Sequence, residues 1–314
     1  MRARVYVLCL ASLVILAAMA NCKRSAETSK ENATHIGSVA PLQVYVVNYP
    51  LKYFAMRIAG DAAEVVFPAP PDEDPAFWKP DAETIASFQQ ADLILRNGAS
   101  YARWADHATL PASRVVDTST RFRDRYIAMA DMVQHAHGPE GAHAHVRTAF
   151  TTWLDPTLAA LQAEAIRIRL VELLPHRTAE FNGNCETLKN DLHALDARLQ
   201  AIVKDHHDQP LLASHPVYQY FARRYQLNLK SIHWEPDESP TDRQWSELGE
   251  LLEGHPAKWM IWEAPPQSET EEELHRRGVS CMVFYPCGNL PPNGDYLQTM
   301  KDNIERLQAA FAVP

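Results

Sequence analysis

The sequence predicts an α/β protein: two lobes of parallel sheet flanked by helices, joined by one long linking helix. Three observations carry this reading. Short apolar runs alternate with helix-spaced segments from residue 43 onward, a mid-chain segment carries an unbroken apolar seam, and the alternation then resumes to the C-terminus. Repeated strand–helix–strand units imply parallel sheets covered on both faces, and two such lobes enclose a cleft at their strand C-termini.

The first residues precede the fold. Arg2 and Arg4 lead into "VYVLCLASLVILAAMA", long enough for a signal-peptide core and short for a membrane span. Ala18-Met19-Ala20 offers an A-x-A cleavage site, while "MANC" resembles a bacterial lipobox that would make Cys22 the acylated first residue. Asn21 departs from the small residue usual before that cysteine. Both readings export the chain, to the periplasm or to a membrane-anchored position on the extracytoplasmic face. Residues 1–22 are therefore read as signal peptide and 23–41, polar and without periodicity, as a flexible tether.

In the first lobe (42–177), "QVYVVNY", "EVVFP", "ADLILRNG" and "SRVVDT" read as buried strands. Between them "PLKYFAMRIAG" and "DAETIASFQQ" have helical spacing, the second opening on the N-cap Asp81. "WLDPTLAALQAEAIRIRLVELLP" is a helix entered through Asp155-Pro156, with proline at its first position. The linking helix (178–205) follows. Phe181, Cys185, Leu188, Leu192, Leu195, Leu199 and Ile202 are spaced 4, 3, 4, 3, 4 and 3 apart, one face of a helix ~40 Å long. In the second lobe (206–314), "PLLASH", "LKSIHW", "KWMIWE" and "SCMVFYP" are strand candidates. "PVYQYFARRYQ", "RQWSELGELLEG", "SETEEELHRRG" and "DYLQTMKDNIERLQAAF" are helix candidates.

Composition narrows the function. Over 314 residues, 30 Lys+Arg stand against 39 Asp+Glu, a net charge of −9. That surface repels nucleic acid and suits a binder of cations. Beyond the export segment remain Cys185, Cys281 and Cys287, an odd number. Cys281 and Cys287 would stand roughly 20 Å apart on an extended strand, against the ~7 Å limit for a disulfide. No disulfide framework follows.

The stretches "VVNYPLKYFAMRIAGD", "EDPAFWKPDAETIASFQQADLILRNGASYARW", "TTWLDPTLAALQAEAI", "LLASHPVYQYFARRYQLNL" and "VFYPCGN…DYLQTMKDNIERL" match in order and spacing those of a known family. Over about residues 42 to 311 the chain resembles the solute-binding proteins of zinc and manganese ABC transporters. The resemblance implies two lobes on a rigid linking helix and an ion held by four side chains at motif positions. Here the chain departs from its family. Ala76 stands where a D-P-H histidine is expected, Thr151 where a histidine precedes x-W-L-D-P, and Tyr285 where an acid precedes P-x-G. His215, in "ASHPVYQY", is the one position of the four that keeps its ligand type.

One imidazole does not hold a divalent ion tightly, since zinc sites use three or four protein ligands. Other donors must join His215, or the cleft holds something else. Glu263 ends an apolar strand and puts a carboxylate at the expected cleft, as a ligand, as an acceptor that orients an imidazole, or as a cap for the next segment. Asp74, two residues before Ala76, is an oxygen ligand or the maker of an Asp-Pro turn. Lower in rank stand Tyr285, whose phenol titrates near 10, Cys287, a soft donor or a buried thiol, and the polar pair His233 and Glu235 after a strand. Trp78, Trp153, Trp234 and Trp262 lie beside these positions and line the cleft or fill the core.

"HAHGPEGAHAH" puts His135, His137, His143 and His145 around Gly138, Pro139 and Gly141. Those residues disfavour helix and strand, so the imidazoles suit exchangeable capture of metal, supplementing a principal site elsewhere. The resembling zinc receptors carry a His-rich loop at the same place. "DHH" at 205–207 ends a helix, where cations favour the dipole.

The leading expectation is a monomeric transport receptor, not an enzyme. It would close on a divalent metal, zinc first with Mn2+ or Cu as alternatives, and deliver it to an ABC permease and its ATPase. The same fold would serve a periplasmic metal chaperone or sensor, or a receptor for a non-metal or metal-chelate ligand. A secreted metal-dependent hydrolase lacks support: there is no H-E-x-x-H and no G-x-S-x-G.

Overall fold

Alternation along each strand decides where its side chains go, and here it divides them between a shared core and separate outer layers. In the computed structural model, which describes residues 40–129 and 147–312, β1 (Leu42–Val46), β2 (Ala63–Val66), β3 (Leu93–Arg96) and β4 (Val115–Asp117) form a parallel sheet in the order β2-β1-β3-β4. A second parallel sheet is made of β7 (Leu211–Ala213), β8 (Leu229–Ser231), β9 (Trp259–Trp262) and β10 (Ser280–Val283), in the order β10-β9-β7-β8. Val44, Leu93 and Leu95 of the first sheet and Leu211, Ala213 and Ile261 of the second belong to one common core. Ile94 turns the other way and packs with Phe88 and Ala91. Leu212, Met260 and Trp262 do the same with Trp234, Leu248 and Leu274. The period of two is thus legible in the packing.

What joins the two sheets in one core is the linking helix. Helices α1 (Tyr49–Ala59), α2 (Ala82–Gln90), α3 (Trp104–His107) and α4 (Pro156–Leu173) lead to α5, Thr178–Val203. Helices α6 (Gln219–Tyr225), α7 (Asp242–Gly254), α8 (Ser268–Arg276) and α9 (Tyr296–Phe311) follow it. Helix α5 packs against α1 and α4 from the first half and α6 and α9 from the second. Its seam is the expected one with one correction at the end. Phe181, Cys185, Leu188, Leu192, Leu195 and Leu199 are buried, but Val203 rather than Ile202 closes the stripe. After Leu199 the next contact falls four residues on, because 3.6 residues per turn cannot be followed by strict 4-3 alternation indefinitely.

Polar ties fix the same helix to both halves. Arg57 Nη2 lies 2.7 Å from Asp191 Oδ2, and Asn184 Nδ2 donates to Ile58 O at 3.0 Å. On the other side the buried Asp196 accepts from Arg224 Nε (2.9 Å), Arg224 Nη2 (2.5 Å) and Tyr225 OH (2.9 Å).

All eight expected long-sheet strands are present, each shorter than its apolar run, because the terminal residues pass into turns. The N-caps also form: Asp81 Oδ1 accepts from Thr84 N at 2.8 Å and Asp155 Oδ1 from Thr157 N at 2.9 Å. Two features escaped the sequence pattern, the one-turn α3 and a two-residue antiparallel pair, β5 (Ala128–Met129) with β6 (Arg147–Thr148). Segments this short carry too few residues to show a period. Cys185, Cys281 and Cys287 are free thiols. The export segment with Cys22, the tether up to residue 39, and His135, His137, His143 and His145 lie outside the described residues. Among those described, no helix is long and apolar enough to cross a membrane.

A shared core makes a thermodynamic prediction. Leu192→Ala empties a fully buried position and should cost about 2–5 kcal/mol in urea denaturation followed by tryptophan fluorescence and far-UV circular dichroism. The two probes should shift together. Two separated transitions, only one of them moved, would refute a core common to both sheets.

Candidate metal centre

Parallel neighbours bring the residues just past their C-terminal ends side by side, about one strand spacing apart. In the second sheet β7 is central, with β9 on one side and β8 on the other. His215 follows β7, Glu263 follows β9 and Glu235 lies in the segment after β8. Backbone bonds extend this alignment past the strands: Ser214 N donates to Ile261 O at 2.8 Å and Trp234 N to Ser214 O at 2.7 Å. The ladder therefore delivers one imidazole and two carboxylates to one spot. Donor atoms of His215, Glu235 and Glu263 all lie within 4.8 Å of one another, and His215 Nδ1 is 3.3 Å from Glu235 Oε1.

That spacing is close to what an ion needs. An equilateral triangle of that edge has its centre ~2.8 Å from each corner, whereas zinc takes nitrogen and oxygen at roughly 2.0–2.2 Å. Small rotations of exposed or half-buried side chains close the gap. His215 Nδ1 is buried without a hydrogen bond, so it makes contact with Glu235 without hydrogen-bond alignment. Its pKa is lowered, first by burial and then by the neighbouring His233, against the opposing pull of Glu235 and Asp74. A neutral ring keeps a lone pair for a metal.

The carboxylates repel one another. Burial pushes the Glu263 carboxyl up to about 7, with Glu235 and Asp74 adding like charge. Asp74 is exposed as a residue, yet protein surrounds its carboxyl group closely enough to raise its pKa by desolvation, with Glu235 adding to the rise. Asp74 also shapes its turn: Oδ1 accepts from Ala76 N at 2.8 Å, and its carbonyl accepts from Phe77 N and Trp78 N at 3.0 and 2.9 Å. Asn289 clamps this turn from the second half, Nδ2 donating to Pro70 O at 2.7 Å and Glu73 O at 2.8 Å. Asp74 stands outside the triangle of donors and contributes its charge from the facing side.

The other candidates are drawn elsewhere. His233 lies edge-on to His215, ring centres 5.6 Å apart. Tyr285 is held by its backbone, its N–H donating to Asn303 Oδ1 (2.9 Å) and its carbonyl accepting from Asn303 Nδ2 (2.8 Å), while the Arg306 guanidinium covers its ring. Cys287 is buried beside Thr299 and Tyr49, and burial pushes its thiol up to about 12. It adopts a left-handed backbone at φ 62°. Cys287 is not among the converging histidine and carboxylate donors. The helix candidate after His215 begins later than its sequence pattern: the His215 carbonyl accepts from Val217 N, and α6 begins only at Gln219. Trp153, Trp234 and Trp262 are core residues, and Trp78 packs against the core.

The substituted positions are absorbed into structure. Ala76 is buried, and Thr151 donates its hydroxyl to Val217 O at 2.5 Å. Sequence reasoning ranked Glu235 low, although the parallel order of β8 and β7 brings it beside His215.

Comparison with known proteins agrees with this architecture. Residues 44–310 match the family described as zinc-uptake complex component A, periplasmic. The zinc-binding lipoprotein AdcA of Streptococcus pneumoniae is 24% identical over 289 residues, 85% of this chain and 55% of that protein; the chain thus spans about half of its length. The high-affinity zinc uptake system protein ZnuA of Bacillus subtilis is 23% identical over 292 residues, covering 87% and 88% of the two chains. Among solved structures, the Zn(II)-bound ZnuA-like domain of S. pneumoniae AdcA superposes with a TM-score of 0.73 at 21% identity, over 86% of this chain and 98% of that domain. The metal-dependent lipoprotein YcdH of B. subtilis has the same TM-score and identity, over 85% and 98%. With the family match running through both sheets and the linking helix, the chain belongs to the periplasmic zinc-uptake component A family.

Proposed function

We propose that this protein is the extracytoplasmic receptor of an ABC transporter, capturing a divalent cation between its lobes and passing it to a membrane permease driven by an ATPase. The observation that carries the reading is the convergence of His215, Glu235 and Glu263 at the ends of three adjacent strands. Three neighbouring acids of like charge, Asp74 included, favour a cation by relieving their mutual repulsion. Zinc is the first cargo to test, since AdcA and ZnuA carry zinc in their names. One imidazole among carboxylates is a harder donor set than zinc sites rich in histidine or cysteine, so Mn2+ is the comparison ion. YfeA of Yersinia pestis, 28% identical over 180 residues, is named iron-binding.

On this reading the chain performs no covalent chemistry. Cys22 carries the lipid anchor, and His135, His137, His143 and His145 collect metal for the cleft; both assignments rest on sequence alone. The substitutions at Ala76 and Thr151 remove donors from the first lobe and that at Tyr285 removes one from the second, where His215, Glu235 and Glu263 remain.

Two measurements test the site. His215→Ala should weaken zinc by at least ~10–100-fold in competition with a fluorescent chelator, while leaving apo thermal unfolding nearly unchanged, because the ring is half-exposed and its Nδ1 has no hydrogen bond to lose. Unchanged affinity would move the site away from His215. Glu263 makes the second test. Its folded-state pKa stands above its ordinary value of 4.5, so its contribution to stability is complete below about 4.5 and is lost as pH rises through about 7. Apo Glu263→Gln should therefore outlast the parent at pH 8, by an amount on the order of 1–3 kcal/mol, and match it near pH 4. Parallel stability–pH profiles for the two proteins would show that Glu263 is not the strained acid described here.

A further inference from the structure

The buried Thr151 hydroxyl, donating to Val217 O at 2.5 Å, ties the first half of the chain to the segment that carries His215. Val217 N donates in turn to His215 O at 2.9 Å. Val217 is thus held at both ends, its N–H by the His215 carbonyl and its own carbonyl by Thr151. Between His215 and Val217 stands Pro216. A proline ring fixes its own φ and restricts the residue before it to extended conformations. Few torsions remain free between the Thr151 anchor and the imidazole.

His215 depends on such an anchor. Its upstream neighbour is fixed in the sheet, Ser214 N donating to Ile261 O at 2.8 Å and Ser214 O accepting from Trp234 N at 2.7 Å. Metal-bound imidazoles are normally aimed by a hydrogen bond from the second ring nitrogen to a carboxylate or carbonyl. Here Nδ1 is buried without a hydrogen bond and meets Glu235 Oε1 at 3.3 Å. Placement of the backbone therefore matters more to the ring's direction. Downstream, Tyr218 OH donates to Phe284 O and Gln219 Nε2 to Pro216 O, both at 2.7 Å, securing the segment within the second half. Thr151 adds the tie from the first.

The donor itself stands on a firm base. Thr152, Trp153 and Leu154 form a buried 3-10 turn directly after it, and Leu154 N donates to Thr151 O at 3.1 Å. On the preceding side Asn97 Nδ2 donates to Phe150 O at 2.9 Å. A hydroxyl fixed in the core holds its acceptor more closely than one on a surface loop.

We propose that Thr151 is a positioning residue of the metal centre: by holding Val217 O, its hydroxyl fixes the His215–Val217 turn and so aims the imidazole at the ion. The inference rests on the metal reading above. A ring nitrogen offers one lone pair along one direction, whereas a carboxylate offers two oxygens with several. Tilting the backbone thus costs the His215 bond more than it costs those of Glu235 or Glu263. At a position where the family resemblance implies a histidine ligand, threonine supports the neighbouring one.

The experiment uses the full chain, with Thr151→Val, Thr151→Ser, His215→Ala and the double variant Thr151→Val/His215→Ala titrated with zinc chloride against a fluorescent chelator. Valine keeps the shape and removes the hydroxyl; serine keeps the hydroxyl. Thr151→Val should bind zinc about 3–10-fold more weakly, and Thr151→Ser should bind as the parent does. In the His215→Ala background the valine should make no further difference, because the ring it misdirects is gone. The same loss in both backgrounds would make the hydroxyl a support of the fold and refute the role in aiming His215. Equal weakening by serine and valine would refute it too, since the hydroxyl would not be the cause. Should Thr151→Val fail to fold, Thr151→Ala carries the same comparison without added bulk. Parent-like affinity in Thr151→Val, with His215→Ala weakened, refutes the role of Thr151 and leaves the metal site standing. If His215→Ala keeps the parent's affinity, the metal reading fails and this inference with it.

Discussion

The architecture depends on one apolar core shared by two sheets that are never bonded to each other. Neither sheet pairs with the other, and each has four short strands. Their facing side chains share one core cluster with α5, whose buried stripe runs from Phe181 to Val203. Hydrogen bonds across the junction add direction to this packing. Trp153 Nε1 donates to Pro286 O at 2.7 Å, Tyr296 OH to Trp153 O at 2.9 Å, and Tyr49 N to Gly288 O at 3.0 Å. Packing supplies the larger part of the stability and these bonds the register, since a hydrogen bond contributes only ~1 kcal/mol net while a large buried side chain contributes more.

That frame lets the cleft carry electrostatic strain. Desolvation raises the cost of ionising Asp74 and Glu263, and like charge from Glu235 adds to it. A domain of this size has only a modest margin of stability, so such an arrangement persists where the surrounding core tolerates it. On the proposed reading, cation binding converts the repulsion into attraction. The gain grows with the number of carboxylates and does not require four ligands preformed at coordination distance.

Much of this was legible in sequence, and the boundary is physical. The strands show because an apolar run of four to eight residues bounded by turns is long enough for a buried strand and too short for a helix. Helix α5 shows because its seam repeats through many turns. His215 and Glu263 were legible because each directly follows a strand, and in a parallel sheet the strand's C-terminal end faces the cleft. Glu235 was harder. It lies several residues beyond β8, and only the order β9-β7-β8, which no local pattern encodes, puts it beside His215. Motif position put Tyr285 and Cys287 at the cleft; in the structure Asn303 and Arg306 of α9 contact the first and Thr299 lies beside the second.

Two of the three substituted ligand positions share a logic. Ala76 and Thr151 belong to the first half, and each now serves packing or an internal hydrogen bond. The three converging donors all lie past the C-terminal ends of strands of the second sheet, whose order brings them together. A site whose donors all follow strands of one sheet does not, on the proposed reading, depend on the first half to bring them together, and Asp74 adds its charge from outside the triangle. On the proposed reading, capture and retention are therefore divided between the lobes. The segments after the strands of the second sheet supply the coordinating atoms, and the first half supplies the charge of Asp74. A receptor that must release its cargo gains from that division, because withdrawing the first lobe weakens the hold without dismantling the coordination shell.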